Sequence, residues 1–393
     1  MPDGTLLITG SGRLLTPQPY DGPRPWAIAV EHGRISWVGA RSEAPATDDA
    51  LELGDGLVTP GLVDAHTHPV YAGDRSDETA ARLAGEPFTG GGILRTVAAT
   101  RAASDAELEG LVEDRLRRQL AAGTTTVECK SGYGLSTDEE LRHLRLVGRV
   151  AERLPVRVVR TLLGAHARPP DVADYVAEVV DRMIPAAAAE GLAEFCDVFC
   201  DEGFFSPDEA ERILQAAAAR GLRLRIHADQ LAAIGATSLA VRLGVTSADH
   251  LEQLDGPDLD ALAGSDVVAT LLPGPALVMR DRLPPARRLL DAGASVALAS
   301  DANAGTFGAW GAMPLVIGLA CLTLQMTALE AVRAGTSDGA AALGLSGRRG
   351  AIAPGADADI VAWEATHEGA FALKLGAVAP RRVMVGGEAV AIG

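Results

Sequence analysis

The pattern of apolar and polar positions changes period once along the chain. TLLITG (5 to 10), AIAVEHG (27 to 33) and RISWVGA (34 to 40) alternate with the two-residue period of half-buried strands. His32 and Gly33, between the last two runs, fit a hairpin turn. No strong helix pattern occurs in the first sixty residues. From Leu62 onward, eight short apolar runs are separated by Ala-, Leu- and Arg-rich segments of helical period. The runs are LVDA (62 to 65), TTTVEC (124 to 129), VRVVRTLL (156 to 163), FCDVF (195 to 199), LRLRI (222 to 226), VTSAD (245 to 249), DVVATLL (266 to 272) and SVALAS (295 to 300). Helices are expected between them at about 104 to 121, 137 to 153, 171 to 189, 207 to 220, 231 to 243, 257 to 264 and 284 to 292.

Eight strands alternating with helices indicate an α/β protein built on a (β/α)8 TIM barrel. A doubly wound sheet is the competing architecture, but the count of eight and the lack of a glycine fingerprint after the first strand favour the barrel. Beyond Asp301 come further helical segments, and then GAIAPGADADIVAWE (350 to 364) and RRVMVGGEAV (381 to 390) return to strands with turn residues. These are expected to join the amino-terminal strands in a small β-sandwich. The expected division is 1–58 and 350–393 for the small domain, and 59–349 for the barrel.

Composition narrows the function classes. Of 393 residues, 48% are hydrophobic and 22% charged, as in an ordered α/β protein. A net charge of -17 without any extended basic run argues against a nucleic-acid partner. MPDGTLLITG lacks a basic segment followed by an apolar stretch, and no apolar run is long enough to span a bilayer, so a cytoplasmic protein without a membrane partner is expected. The four cysteines, Cys129, Cys196, Cys200 and Cys321, lie in apolar runs and read as buried thiols.

In a barrel of this kind, polar residues at the carboxyl ends of strands face the site. His66 and His68 follow the first strand, His166 the third, His227 the fifth, His250 the sixth and Asp301 the eighth. Residues two apart at a strand end project to one side, so His66 and His68 can share an ion. With His227 and Asp301 they form a set of three imidazoles and a carboxylate that suits one zinc or iron ion per subunit and leaves room for water. Such an ion acidifies bound water and polarises a carbonyl, the chemistry that hydrolysis of an amide or amidine requires. Asp301 can then accept a proton from that water. His250 is the candidate to orient water or stabilise an oxyanion, unless it is a further ligand. His32, in a turn, His143, within a helix, and His367, near the carboxyl end, are not placed near this group. Lys130, after the second strand, reads as an ion-paired residue.

The blocks TPGLVDAHTHPVYAGDR (59 to 75), GGGILRTVAATRAAS (90 to 104), VECKSGYGL (127 to 135), LLGAHARP (162 to 169), AEFCDVFCDEGFFS (193 to 206), IHADQ (226 to 230), SADHLE (247 to 252), LLPG (271 to 274) and SDANAGT (300 to 306) give the chain a wider likeness. It resembles the amidohydrolase superfamily and, within it, the imidazolonepropionase family of histidine degradation. The first block is shared across the superfamily, whereas KSGYGL with LLGAHA, EFCDVFC and HADQ is more specific. The resemblance implies hydrolysis of 4-imidazolone-5-propanoate to N-formimidoyl-L-glutamate, with metal ligands at His66, His68, His227 and Asp301. It also implies substrate contacts at Arg75, Tyr133, His166, Gln230, Asn303, Gly305 and Thr306, and a homodimer. Arg75 offers a planar fork for the propionate tail. Gln230 departs from members with Glu there, and Thr306 keeps a hydroxyl where others have Ser. The rival activity is deamination of a cyclic amidine of purine or pyrimidine type. From another class, a non-catalytic scaffold would keep the barrel but not the ligand set.

Overall fold

The computed structural model describes residues 4–16, 18–85 and 92–391. Gly90 and Gly91 of the glycine-rich block therefore lie outside the described residues. Strands β1 (Thr5–Gly10), β2 (Trp26–Glu31), β3 (Arg34–Ala40) and β4 (Asp49–Glu52) form a sheet of order β3-β2-β1-β4. The β2–β3 hairpin turns at His32 and Gly33, both with positive φ (49° and 76°), as a primed two-residue turn requires.

The chain then passes through β5 (Val58–Pro60) into eight parallel strands. These are β6 (Leu62–Asp64), β7 (Thr124–Lys130), β8 (Arg157–Ala165), β9 (Phe195–Cys200), β10 (Arg223–Ala228), β11 (Ser247–His250), β12 (Val268–Leu271) and β13 (Val296–Leu298). Each pairs with the next in sequence order. The seam between first and last is bridged just past the strand ends, where Asp301 N donates to His66 O at 3.0 Å and His68 N to Ala302 O at 2.9 Å. The expected eight runs and their order are all present, and the doubly wound alternative falls.

β14 (Ile360–Trp363), β15 (Pro380–Val385) and β16 (Glu388–Val390) complete a second antiparallel sheet, order β16-β15-β14-β5. Ile8, Trp26, Ile28, Val30 and Ile35 of the first sheet pack with Val58, Ile360 and Met384 of the second, giving the small β-sandwich its core. A domain division at 58/59 and 349/350 remains a proposal, since β5 straddles the first of these points while pairing with β14.

Two helices fall outside the expected set and one expected helix starts late, for physical reasons. Helix Ser76–Leu83 has no buried residue, so it carries no apolar stripe to read. Helix Gly92–Ala102 buries Ile93, Thr96, Val97 and Thr100, a stripe half made of threonine. The segment expected as helix from 231 becomes helical only at Ala236–Leu243, because Asp201 takes the amides of Gln230, Leu231 and Ala232 at 2.8 to 3.0 Å and holds them as a loop.

Candidate active site

The barrel seam assembles the site. Pairing Asp301 N with His66 O sets Asp301 beside the His66–Thr67–His68 segment, and Asp301 Oδ1 lies 3.6 Å from His66 Nε2 and 3.3 Å from His68 Nε2. Asp301 and His250 both adopt positive φ, 49° and 83°, an uncommon conformation for side-chain-bearing residues that clusters at functional sites. Strand β10 delivers His227, whose ring centroid is 4.5 Å from that of His66, and β11 delivers His250 at 5.5 Å from His66 and 5.2 Å from His227. Two trios have nitrogen or oxygen atoms close enough to share one ion: His66, His68 and Asp301, and His66, His227 and His250. His66 is their common member. His68 and Asp301 thus join His66 in one trio, while the fourth expected ligand, His227, joins it in the other together with His250.

The hydrogen bonds fix which nitrogens face inward. His66 Nδ1 donates to Asp249 Oδ2 at 2.6 Å, and His227 Nδ1 donates to Asp197 at 3.1 Å. Each proton is therefore held on Nδ1, and the Nε2 lone pair points toward the cluster. His66 Nε2 and His68 Nε2 stand only 3.2 Å apart. Two converging imidazole nitrogens beside a carboxylate suit a shared cation, so the donor set fits a zinc- or iron-sized ion. Burial, and then the positive field of Lys130 and the neighbouring imidazoles, keep the His66 pKa well below its usual value. A neutral ring is the form that can bind metal. Asp301 is held below the ordinary carboxylate range by the histidines around it, although burial opposes them.

A small cavity adjoins the cluster. Its lining combines His68, His166, His227, His250 and Asp301 with Arg75, Tyr133, Gln230, Asn303 and Thr306 and the apolar Ile93 and Phe199. His166 stacks on His68 with centroids 5.1 Å apart and donates from Nδ1 to Gly132 O at 2.9 Å. Tyr133 is buried, its loop anchored by Glu140, which receives the amides of Gly132, Gly134 and Leu135 at 2.6 to 2.8 Å. Burial pushes the Tyr133 hydroxyl well above its usual pKa, so it stays a neutral donor. Arg75 is clamped along one edge by Glu78, with Nε–Oε2 at 2.9 Å and Nη2–Oε1 at 2.6 Å. Gly305 closes against the guanidinium: a Cβ built there would stand 2.3 Å from Arg75 Nη1.

The chain matches the amidohydrolase family over residues 69–391. It is 46% identical to the imidazolonepropionase of Nocardia farcinica over 92% of both chains. It is 43% identical to that of Mycolicibacterium smegmatis over 98% of both. The chain belongs to the imidazolonepropionase family of amidohydrolases. Its fold is similar to that of an adenosine deaminase from Xanthomonas campestris solved with bound zinc, with TM-score 0.74 and 19% identity over 98% of this chain and 92% of that one. It is also similar to N-isopropylammelide isopropylaminohydrolase from Burkholderia multivorans, with TM-score 0.73 and 22% identity over 98% of both. Those two likenesses concern architecture alone.

In this imidazolonepropionase-family chain, several supporting residues escaped the strand-end reading. Asp249 and Asp197 precede or oppose the histidines they hold, inside strands, where a buried carboxylate looks like any polar interruption. Their signal was the requirement that a ligand imidazole have an acceptor behind it. Glu252 Oε1 sits 3.4 Å from His250 Nδ1, both side chains being buried, and burial raises the Glu252 pKa. His250 is itself raised, with Glu252 and then Asp301 outweighing burial. Asn303 is engaged within its own loop: Nδ2 donates to Asp301 O and Thr306 Oγ1, each at 2.7 Å, and Oδ1 accepts from Gly305 N and Thr306 N. His32, His143 and His367 lie away from the cavity lining, as expected. Lys130 is ion-paired, 2.8 Å from Glu128 and 2.7 Å from Asp197.

Proposed function

We propose that the chain hydrolyses the ring amide of 4-imidazolone-5-propanoate to N-formimidoyl-L-glutamate, with one zinc or iron ion held by His66, His68, His227 and Asp301. The observation that carries this reading is a single cavity lined both by the histidine–aspartate cluster and by a clamped, buried arginine. The likeness to imidazolonepropionases over almost the whole chain supports the same substrate. When bound, the ion supplies Lewis-acid chemistry, acidifying a water and polarising a carbonyl.

The chain's own groups do the rest. Asp301 Oδ1 faces the imidazoles while Oδ2 lies toward Thr306, 3.4 Å from its hydroxyl. In this reading Oδ2 takes the proton of the attacking water and returns it to the departing ring nitrogen. His250, on the other flank, stabilises the negative charge that grows on the carbonyl oxygen. The C–N bond breaks and the carbonyl becomes the α-carboxylate of the product. Arg75 offers the edge not taken by Glu78 to the propionate, and Tyr133, His166 and Gln230 contact the ring. Asn303 acts through its loop, holding Gly305 and Thr306 in place around the guanidinium. We also place the enzyme in the cytoplasm as a homodimer; among the described residues no helix is long and apolar enough to cross a membrane.

Loss of ring absorbance on mixing metal-loaded protein with imidazolone propionate tests the reading. Turnover is expected. No turnover, with ammonia released from a purine or pyrimidine instead, would overturn it in favour of the deaminase.

A further inference from the structure

Beneath the histidines lies a group of ionic side chains that the reaction does not use. Lys130 is fully buried, and its ammonium touches Glu128 Oε1 at 2.8 Å and Asp197 Oδ2 at 2.7 Å, with Asp249 Oδ2 at 4.0 Å. Each of these carboxylates supports a different part of the metal site. Asp197 holds His227 Nδ1 at 3.1 Å, and Asp249 holds His66 Nδ1 at 2.6 Å. Glu128 Oε2 receives the backbone amide of Thr67 at 3.1 Å, the residue between His66 and His68. Arg225 caps the same group from the other side, giving its guanidinium to Asp249 at 2.7 Å and to Ala65 O and Ala342 O at 2.8 Å.

We propose that Lys130 is a positioning residue for the metal site: one ammonium ties together the supports of His66, His227 and the His66–Thr67–His68 turn. The inference rests on the metal reading above. Without the ammonium between them, Glu128, Asp197 and Asp249 would face one another as buried like charges, and Asp197 would lose the partner that holds it against His227 Nδ1. The imidazole would then lose the fixed acceptor that aims its Nε2 toward the cluster. Lys130 prevents this by position, and it does so without approaching the cavity, whose lining does not include it.

Removing the lysine alone also removes a positive charge, which by itself favours a cation nearby. The deciding variant is therefore Lys130→Met combined with Glu128→Gln, which takes out one charge of each sign. Metal-free protein is loaded with cobalt(II), and its affinity and release rate are read by competition with a chromophoric chelator, alongside the visible spectrum of the bound ion. Loss of outer supports of this kind costs roughly 10- to 100-fold in metal affinity, and a loss of at least about tenfold with an altered cobalt spectrum is expected in the double variant. Affinity within about twofold of wild type in a folded double variant would overturn the proposal. Failure of both Lys130→Met and the double variant to fold would overturn it as well, because the lysine would then serve the core and not the site. Absence of stoichiometric cobalt in the wild-type protein would instead sink the metal reading itself.

Discussion

Replacing Gly305 with alanine tests how the acidic tail of the substrate is held. The added methyl would stand 2.3 Å from Arg75 Nη1 and 2.4 Å from its Cζ. Ordinary contact needs about 3.5 Å, so the guanidinium must retreat by about 1 Å. Its other edge is fixed by the bidentate pair with Glu78, and Gly92 presses from behind, where a Cβ would stand 2.2 Å from Nη2. The retreat therefore twists the fork away from the carboxylate. A misplacement of about 1 Å costs on the order of 100-fold, or about 2.7 kcal/mol of transition-state binding. Because Arg75 meets the tail and not the bond that breaks, the loss is expected mainly in KM. Gly305 does not use the left-handed backbone region, so the fold should tolerate the change. Gly308→Ala in the same loop is the control, since its Cβ would meet only Asn303 O at 3.9 Å. Steady-state kinetics should show kcat/KM down by about 100-fold in Gly305→Ala and near wild type in Gly308→Ala. Equal values for the two variants would refute the reasoning.

His143 is buried in helix Thr137–Ala151, and burial, then Arg142 and Arg101, pull its pKa down to about 3. The unfolded chain binds that proton near pH 6.5, so between there and pH 3 the unfolded state gains protons and stability falls as pH falls. His143→Leu should remove this slope, gaining about 2 kcal/mol on wild type between pH 7 and pH 5 in urea unfolding of the metal-free proteins; parallel pH profiles would count against it. Glu140→Ala strips three amides of the Tyr133 loop of their acceptor and should cost at least about 3 kcal/mol in thermal unfolding, with a rise in KM, whereas an unchanged melting temperature would show that the loop is held otherwise. Dialysis against a strong chelator should abolish turnover, and either zinc or iron should restore it; full activity in demonstrably metal-free protein would exclude the ligand assignment.

The barrel was legible because its strands are continuous apolar runs of the kind buried on both faces, and eight of them in order leave few architectures open. The histidines were legible because the seam and strand ends must place them together: Asp301 N pairs with His66 O and His68 N with Ala302 O. What could not be read were relations across the barrel. Asp249 lies 183 residues from His66 and Lys130 lies 67 from Asp197, and nothing local in either stretch announces the partner. The composition of 231 to 235 permits a helix; a distant carboxylate, Asp201, instead holds the amides at 230 to 232 in a loop. Arg75 carried a likeness to a carboxylate fork, but only the packing of Glu78, Gly92 and Gly305 around it shows which edge is left for a ligand.

In the proposed reaction, water opens the lactam ring at its carbonyl carbon. Turnover of 4-imidazolone-5-propanoate in water enriched with oxygen-18, followed by mass spectrometry and carbon NMR, tests it most directly. The expected product is N-formimidoyl-L-glutamate with one labelled oxygen in the α-carboxylate, with no ammonia released as it forms. An intact ring, ammonia released in step with turnover, or label absent from the α-carboxylate would contradict it.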